Sequence, residues 1–273
     1  MESKVIMPSE SLRPYVNHYW IMRASGNSMD MNIMPMGSMK WIFHRGTPLT
    51  INGLIDESNV ASICGQYTSA AHVRMHGQTN LIFVFFRPYA MRMITGIPCQ
   101  LFENDNVPMD SLELPGFKIL KEMVLDAPDD ASAIAIIETF ILGQLANNND
   151  LGYLKRMMTV CSEIDHHIDS PINALADVAC LSERQLRRVF LDYVGLAPKQ
   201  LVRTRRCLLA SRAIQNMEGE DLTPLIYKLG FTDHSHLNKE FKSFAGMSPS
   251  DYLNHVKDIK RNDLIRGYKA YHG

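Results

Sequence analysis

The sequence carries one pattern twice, as SERQLRRVFLDYVGLAPKQL at residues 182–201 and as DHSHLNKEFKSFAGMSPSDY at residues 233–252. At a constant offset of 51 residues the apolar, Gly and Pro positions coincide: Leu186 with Leu237, Phe190 with Phe241, Tyr193 with Phe244, Gly195 with Gly246 and Pro198 with Pro249. Upstream of these pairs the offset is 50, so the second copy has one extra residue at its turn. Such a repeat indicates a duplicated supersecondary unit.

Each copy has the pattern of a helix, a short turn and a second helix. In the first copy Leu175 and Ala176 belong to a helical apolar stripe, and Ser182 is a candidate N-cap for the second helix. In the second copy Gly230 supplies the backbone freedom that the turn needs, and Thr232 or Asp233 can cap the next helix. Two such units predict a pair of helix-turn-helix motifs, whose second helices fit the major groove of B-DNA.

The second helix of each copy has an apolar face and a polar face. Arginine can bind guanine O6 and N7, asparagine can bind adenine N6 and N7, and serine and histidine can contact bases as smaller groups. Lysine and the remaining arginines can neutralise phosphates. The polar face of the first copy carries Arg184, Gln185, Arg187 and Arg188, and that of the second carries His234, Ser235, Asn238, Lys239 and Lys242. The candidates for phosphate contact are Ser182, Arg203 and Lys242.

One long helix is predicted between the copies, over residues 199–217, with a buried stripe at Val202, Leu209, Ala213 and Met217. A rigid connection of this kind would fix the two recognition helices relative to each other. Two helices on one face could enter successive major grooves, roughly 34 Å apart.

Residues 160–256 resemble the DNA-binding domain of the AraC/XylS family of bacterial transcription regulators. The distinctive spacing runs from Gly230-Phe231 through Gly246 to Ser248-Pro249 and Tyr252. The resemblance implies a seven-helix domain with two recognition helices, double-stranded DNA as partner and contact with RNA polymerase. It also implies that the base-facing positions are Arg184, Arg187 and Arg188 in the first copy and His234, Ser235, Asn238 and Lys239 in the second. Cys180 stands where the family often has glycine, and Ile226 where it usually has alanine. Both lie at the packed turn, so these departures concern the helix crossing there and not the fold.

The charge of the chain is divided unevenly between its halves. The 273 residues carry a formal net charge of −1, but residues 1–152 have a balance of −5 and residues 153–273 a balance of +4. Within 182–212 eight basic residues stand against Glu183 and Asp192 alone. A solvated face with local ion pairs is the other explanation, and the shortage of nearby acids counts against it. The asymmetry favours a nucleic-acid-binding C-terminal part.

The N-terminal half has the pattern of short strands followed by helices. Apolar runs at 40–44, 49–51, 60–64 and 81–86 are separated by Gly, Pro and Asn, and helical periodicity begins near residue 90. We therefore predict an α+β protein with a β-barrel or sandwich-like domain over 1–150, an all-α domain of two helix-turn-helix units over 155–256, and a basic tail over 257–273. The N-terminal half also resembles, more weakly, the sensor-type domain that precedes many family DNA-binding domains.

The role of the N-terminal domain is left open by the residues. It could bind a small-molecule effector, with scattered methionines around Met34 lining an adaptable pocket, or it could only dimerise. The apolar stripe Ile134, Ile137, Ile141 and Leu145 is either a homodimer face or packs on the sheet. A transferase built on Cys64 or Cys99 is the enzymatic alternative, but neither lies in a recognisable motif. We expect no enzyme activity and no metal or other cofactor, since this half contains no His-x-His.

The location of the protein is expected to be cytoplasmic. The five cysteines are odd in number and form no CxxC pair, which is typical of a reduced compartment. Residues 1–4 lead into polar sequence rather than an apolar signal core, and the longest apolar run, 81–86, is too short to span a bilayer. We therefore expect neither export nor a membrane partner.

Overall fold

The structure is a computed structural model, and it describes residues 2–53, 60–148, 151–217 and 222–261. Its strands are β1 (Glu2–Ile6), β2 (Val16–Ile33), β3 (Lys40–His44), β4 (Thr50–Ile51), β5 (Ala61–Cys64), β6 (Ala71–Phe86) and β7 (Asn106–Pro108). Its α-helices are α1 (Ala90–Thr95), α2 (Phe117–Leu125), α3 (Asp130–Ala146), α4 (Leu151–His166), α5 (Ile172–Val178), α6 (Glu183–Val194), α7 (Pro198–Gln215), α8 (Thr223–Lys228), α9 (His234–Ala245) and α10 (Pro249–Arg261).

The strands form one antiparallel sheet in the order β1-β2-β6-β3-β5-β7, with β4 paired to β6. Strands β2 and β6 pair along nearly their whole length, from Val16 opposite Phe86 to Ile33 opposite Ala71. Val73 and Met75 belong to the same apolar cluster as Phe83 and Phe85, although all four lie on β6. The sheet therefore curls around this core.

The other face of the sheet is covered by helices. Alternate residues of β2 and β3, among them Tyr19 and Trp41, face a cluster that includes residues of α1, α2 and α3. Ile134, Ile137 and Ile141 of α3 are buried in this cluster. The predicted stripe therefore packs on the sheet of its own chain, and its interpretation as a dimer face is wrong.

The C-terminal helices contain two further cores. Helices α4, α5 and α6 share one core, which also takes in Tyr89 and Met93 from the N-terminal half. Helices α7 to α10 share the other, which takes in Met34. Each helix-turn-helix unit therefore packs against the N-terminal half through its own core.

The connecting helix α7 is confirmed, but its predicted buried stripe is wrong. Leu209 is 38% exposed, and Val202, Ala213 and Met217 are only partly buried. The buried residues are Leu201, Thr204, Cys207, Leu208, Ala210, Ser211 and Ile214. Helix α7 contacts both units and the N-terminal half, so it is buried on a broader surface than a single stripe.

The predicted fold class is confirmed: an antiparallel sheet domain with helices precedes a helical region with two helix-turn-helix units. The turn between α5 and α6 has four residues, 179–182, and that between α8 and α9 has five, 229–233, as the change of offset predicts. Residues 257–261 of the predicted tail continue α10, and 262–273 lie outside the described residues. The runs at 40–44 and 60–64 match β3 and β5, whereas the run at 81–86 is only the end of the longer strand β6.

Candidate nucleic-acid interface

Both predicted recognition helices begin at a capped N-terminus. The Ser182 hydroxyl accepts a hydrogen bond from the backbone N–H of Gln185 (3.3 Å), and the Gln185 side chain accepts one from the backbone N–H of Ser182 (3.1 Å). In the second unit the Asp233 carboxylate accepts from the backbone N–H of His236 (2.8 Å). These bonds satisfy N–H groups that the helix leaves free, so the start of each helix is fixed.

The turn of each unit contains one residue with a left-handed backbone conformation, at equivalent positions. Gly230 has φ of +70°, and Cys180, at the equivalent place in the first unit, has φ of +50°. Cysteine in this conformation is unfavourable relative to glycine because of its Cβ atom. The departure from the family pattern at Cys180 therefore leaves the turn geometry in place at a local conformational cost.

The predicted base-facing side chains are all exposed to solvent. Three of them lie on α6 and four on α9: Arg184, Arg187, Arg188, His234, Ser235, Asn238 and Lys239. Two of the seven, Arg187 and His234, also contact a polar side chain of their own helix-turn-helix unit. Arg187 forms an ion pair with Glu183 one turn earlier (3.1 Å), and the His234 ring lies 3.2 Å from the Thr223 hydroxyl. These exposed contacts would have to open for the two side chains to reach a base edge.

The three candidates for phosphate contact lie in different settings. Ser182 is exposed and engaged in its capping box, and Lys242 is exposed in the last turn of α9. Arg203 of α7 is half exposed and paired with Glu240 of α9 (2.9 Å between Nε and Oε1). Contact of these three residues with phosphates stays a prediction.

The basic zone over 182–212 is less unbalanced in the fold than in the sequence. Arg203, Arg205 and Arg206 are paired with Glu240, Asp165 and Asp169, which all lie outside that stretch. The shortage of acids nearby in the sequence therefore did not indicate free arginines. Arg184 and Arg188 on α6 and Lys199 and Arg212 on α7 are exposed basic residues of the zone.

The N-terminal domain holds the C-terminal end of α6. The Gln66 side chain donates a buried hydrogen bond to the carbonyl oxygen of Val194 (3.2 Å), and Arg92 pairs with Asp192 (3.1 Å). The backbone at Gly195 lies so close to Cys99 that an added Cβ atom would be 2.8 Å from the Cys99 carbonyl oxygen. No local sequence pattern indicates these contacts, because their partners are about a hundred residues or more apart in the chain.

A cleft of 990 Å³ lies between the N-terminal half and helices α4 and α7. His18 and Arg87 line one wall, and His166, Arg205 and Arg212 line the other. Burial, together with the nearby charge of Arg87, lowers the pKa of His18, whose ring stacks on Phe85 at 4.6 Å. Arg205 pairs with Asp165 (2.8 Å) and donates to the carbonyl oxygen of Met36 (3.2 Å), so it connects the two walls.

The pocket inside the curled sheet is much smaller. Its volume is 40 Å³, and Met34, Met36, Ile42 and Phe83 are among its lining residues. A volume of that size holds about one or two water molecules. Met34 is packed in the core of the second helix-turn-helix unit, whereas Met36, partly buried against the core of the curled sheet, also lines the interdomain cleft.

Neither candidate cysteine has the surroundings of a nucleophile. Cys64 and Cys99 are 3% and 0% exposed, and burial raises the pKa of the Cys99 thiol. Among the described residues, no group of three or more His, Cys, Asp and Glu side chains could hold a metal ion. Within the same ranges no helix is long and apolar enough to cross a membrane.

Comparison with protein families gives two matches. Residues 175–255 match a helix-turn-helix domain, and residues 4–108 match a domain of unknown function, DUF6597. The first range contains α6, α7 and α9 and both capped turns. Residues 175–255 are a helix-turn-helix domain of the AraC type. The predicted resemblance is thereby confirmed for this part of the chain.

The curated relatives of the AraC-type domain are transcription regulators. LumQ of Photobacterium leiognathi, named a probable transcriptional regulator, is 29% identical over 98 residues, which cover 35% of this chain and 39% of LumQ. The transcriptional activator RhaS of Escherichia coli is 28% identical over 98 residues, which cover 35% of each chain. The match thus spans less than two fifths of either relative.

Among solved structures, ToxT of Vibrio cholerae is similar over most of the chain. One ToxT structure is 14% identical, covers 86% of this chain and 97% of ToxT, and has a TM-score of 0.45.

Proposed function

We propose that this protein is a sequence-specific DNA-binding transcription regulator. Its two recognition helices, α6 and α9, enter successive major grooves of one duplex. The seven exposed side chains of these helices read base edges, while Ser182, Arg203 and Lys242 contact phosphates. RNA polymerase is the proposed partner of the bound protein.

The duplicated unit is the observation that carries this proposal. Each copy has a capped start, a left-handed turn residue and a second helix whose apolar side is buried and whose polar side is exposed. Burial of Leu186 and Phe190 in one unit, and of Leu237 and Phe241 in the other, orients the exposed sides in the same way in both units. Two polar helix faces built alike support a pair of groove-binding helices.

Selection of bound duplexes from random DNA tests the proposal. We expect one enriched sequence with two short conserved blocks, and binding to it that weakens steeply with salt as phosphate contacts release counterions. Enrichment of no sequence, with equal affinity for all duplexes, would contradict the proposed function.

We propose further that a small-molecule effector binds in the interdomain cleft. The cleft is large enough for a metabolite, and its walls belong to both domains, so a ligand there would favour one arrangement of the domains over another. Arg87 and Arg212 favour a ligand with an anionic group, while Arg205 is already paired with Asp165, which lines the cleft together with Glu163. The pocket inside the sheet is too small for a metabolite, which also favours the cleft as the binding site.

A thermal-shift screen of small acids, followed by DNA titration, tests the effector. A true effector raises the melting temperature, because it stabilises the folded state by RT ln(1 + [L]/Kd), and it changes the affinity for the selected duplex. An Arg87→Ala variant should lose the shift. A protein whose DNA affinity no ligand of the screen changes would instead fit the constitutive alternative, in which the N-terminal domain only dimerises.

A homodimer is proposed to form through α2 and α3. These helices leave an apolar groove in which Ile119 is 60% and Met123 is 50% exposed, with Phe140 at its wall. Lys118 and Glu122 are exposed beside these two residues, so an antiparallel pair of α2 helices would place opposite charges together. Sedimentation of an Ile119→Glu variant should show a monomer if this groove is the interface.

A further inference from the structure

The side chain of Arg206 bridges the two helix-turn-helix units. Arg206 lies on α7 and is only 15% exposed. On one side its guanidinium is 3.4 Å from the carboxylate of Asp169, which lies just before α5 of the first unit. On the other side it lies over the ring of Phe231, at 5.6 Å from the ring centroid, in the turn of the second unit.

Asp169 also packs directly against the second unit. An added Cβ atom on Gly230 would be 2.5 Å from the nearer Asp169 carboxylate oxygen, so the glycine permits this approach. Phe231 next to it is 3% exposed and belongs to the core that contains Leu237 and Phe241 of α9. A series of contacts therefore connects Asp169, just before α5, through Arg206 to the turn that precedes the second recognition helix.

A second contact fixes α9 on α7. Arg203 lies one turn before Arg206 and is paired with Glu240 of α9 at 2.9 Å, and the His236 ring is 3.6 Å from the same carboxylate. Glu240 is mostly buried, so its charge is held in one place. Helix α6 packs in the core of the first unit. The contacts of α7 with α9 therefore hold α9 in one position relative to α6.

We infer that Arg206, with Asp169, is a positioning residue that sets the separation of the two recognition helices and hence the spacing of the two half-sites the protein accepts. The inference rests on the proposed function. Neither residue needs to contact DNA in this role. Loss of the bridge should leave the contacts of each helix with its own half-site intact, while the tolerance for altered spacing increases.

The test uses the full chain and duplexes in which the two selected blocks are moved apart or together by one and two base pairs. Wild type should prefer one spacing sharply. Asp169→Asn, an exposed substitution that keeps the side-chain shape, and Arg206→Met should reduce that preference by about fivefold, the lower end of ordinary coupling between two sites. Affinity for the best duplex should fall less. Asp110→Asn, which removes an ion pair with Lys121 in the N-terminal domain, is the matched control.

The possible outcomes distinguish a failure of the inference from a failure of the proposed function. An unchanged spacing profile in folded Asp169→Asn would overturn the inference and leave the proposed function standing. A wild type that reads only one block would overturn the inference together with the part of the proposed function that places both recognition helices on one duplex. A wild type with no sequence preference would overturn the proposed function first. If Arg206→Met does not fold, Asp169→Asn alone decides.

Discussion

Gln66, two residues beyond the end of β5, donates a buried hydrogen bond to the carbonyl oxygen of Val194, the last residue of α6 (3.2 Å). The N-terminal domain therefore holds the first recognition helix directly, at the end opposite its cap. The second recognition helix is followed by Gly246. A Cβ atom added to Gly246 would lie 3.9 Å from the Cβ atom of Ala70 in the N-terminal half, which is an ordinary van der Waals contact. The two duplicated units thus differ in how tightly the sheet domain restrains them.

The glycines that end the two recognition helices should respond differently to alanine. Both have positive φ, +82° at Gly195 and +76° at Gly246, so each alanine variant loses about 1–2 kcal/mol from the backbone alone. At Gly195 the new Cβ atom would also be 2.8 Å from a backbone oxygen of Cys99. Overpacking of this kind adds about 1–3 kcal/mol. Chemical denaturation of both variants measures the difference.

Gly246→Ala serves as the control for this comparison, because its Cβ atom would be 3.9 Å from Ala70. Equal losses of unfolding free energy in the two variants would show that the sheet domain does not press on the end of α6.

Base-reading residues should affect specific binding more than general binding. Arg187→Ala and Asn238→Ala should each weaken binding to the selected duplex by about 1–3 kcal/mol and relax the preference at one block. Affinity for random DNA should change little. Titration of both duplexes with each variant, and with Arg13→Ala in the exposed part of the N-terminal domain, measures this. Equal losses on both duplexes would refute a base-reading role.

Phosphate contacts should appear in the salt dependence. Removing one of them lowers the slope of log affinity against log salt by about one, uniformly across sequences. We expect this for Lys242→Ala, since Lys242 is exposed in the last turn of α9. Lys4→Ala, on the exposed first strand, is the control. The role assigned to Lys242 is wrong if its variant has the wild-type slope.

His44 should make the protein sensitive to acid. Burial lowers its pKa from 6.5 to about 4, and its Nδ1 accepts a hydrogen bond from the backbone N–H of Leu49 (3.3 Å), which requires the neutral ring. Between pH 4 and pH 6.5 His44 binds more protons in the unfolded chain than in the folded one. Its contribution to the free energy of unfolding is therefore fully present above pH 6.5 and is lost as the pH drops towards 4. The largest loss from this group is about 3 kcal/mol.

Unfolding free energies of wild type and His44→Asn between pH 7 and pH 4 test this effect. The asparagine oxygen can accept the Leu49 hydrogen bond without titrating in this range, so the variant should lose less stability on acidification than wild type. Parallel curves for wild type and His44→Asn would contradict the prediction.

The duplicated helical units could be predicted from the sequence because their signals are local. Caps such as Ser182, turn residues such as Gly230 and apolar stripes such as that of α6 all lie within a few residues of the structure they specify. The strands were harder. Residues 71–80 of β6 alternate between apolar and polar in their first part, as in a strand with one solvent-facing side, and only the doubly buried end at 81–86 stood out as an apolar run.

The rest of the candidate site depends on contacts between distant residues. Arg206 meets Asp169, 37 residues away, and Gln66 meets Val194, 128 residues away. The buried side of α7 is likewise set by neighbours from three parts of the chain, so its own periodicity predicted the wrong stripe. The interdomain cleft has no sequence signal, because His18, Arg87 and Arg205 come together only through the packing of the two halves.

Hydroxyl-radical footprinting of the full chain on the selected duplex tests the central claim, that both recognition helices bind one DNA molecule. We predict two protected blocks about 10–10.5 base pairs apart. Arg187→Ala should weaken protection of one block and Asn238→Ala that of the other. Protection of a single block, or the same block weakened by both variants, would contradict the claim.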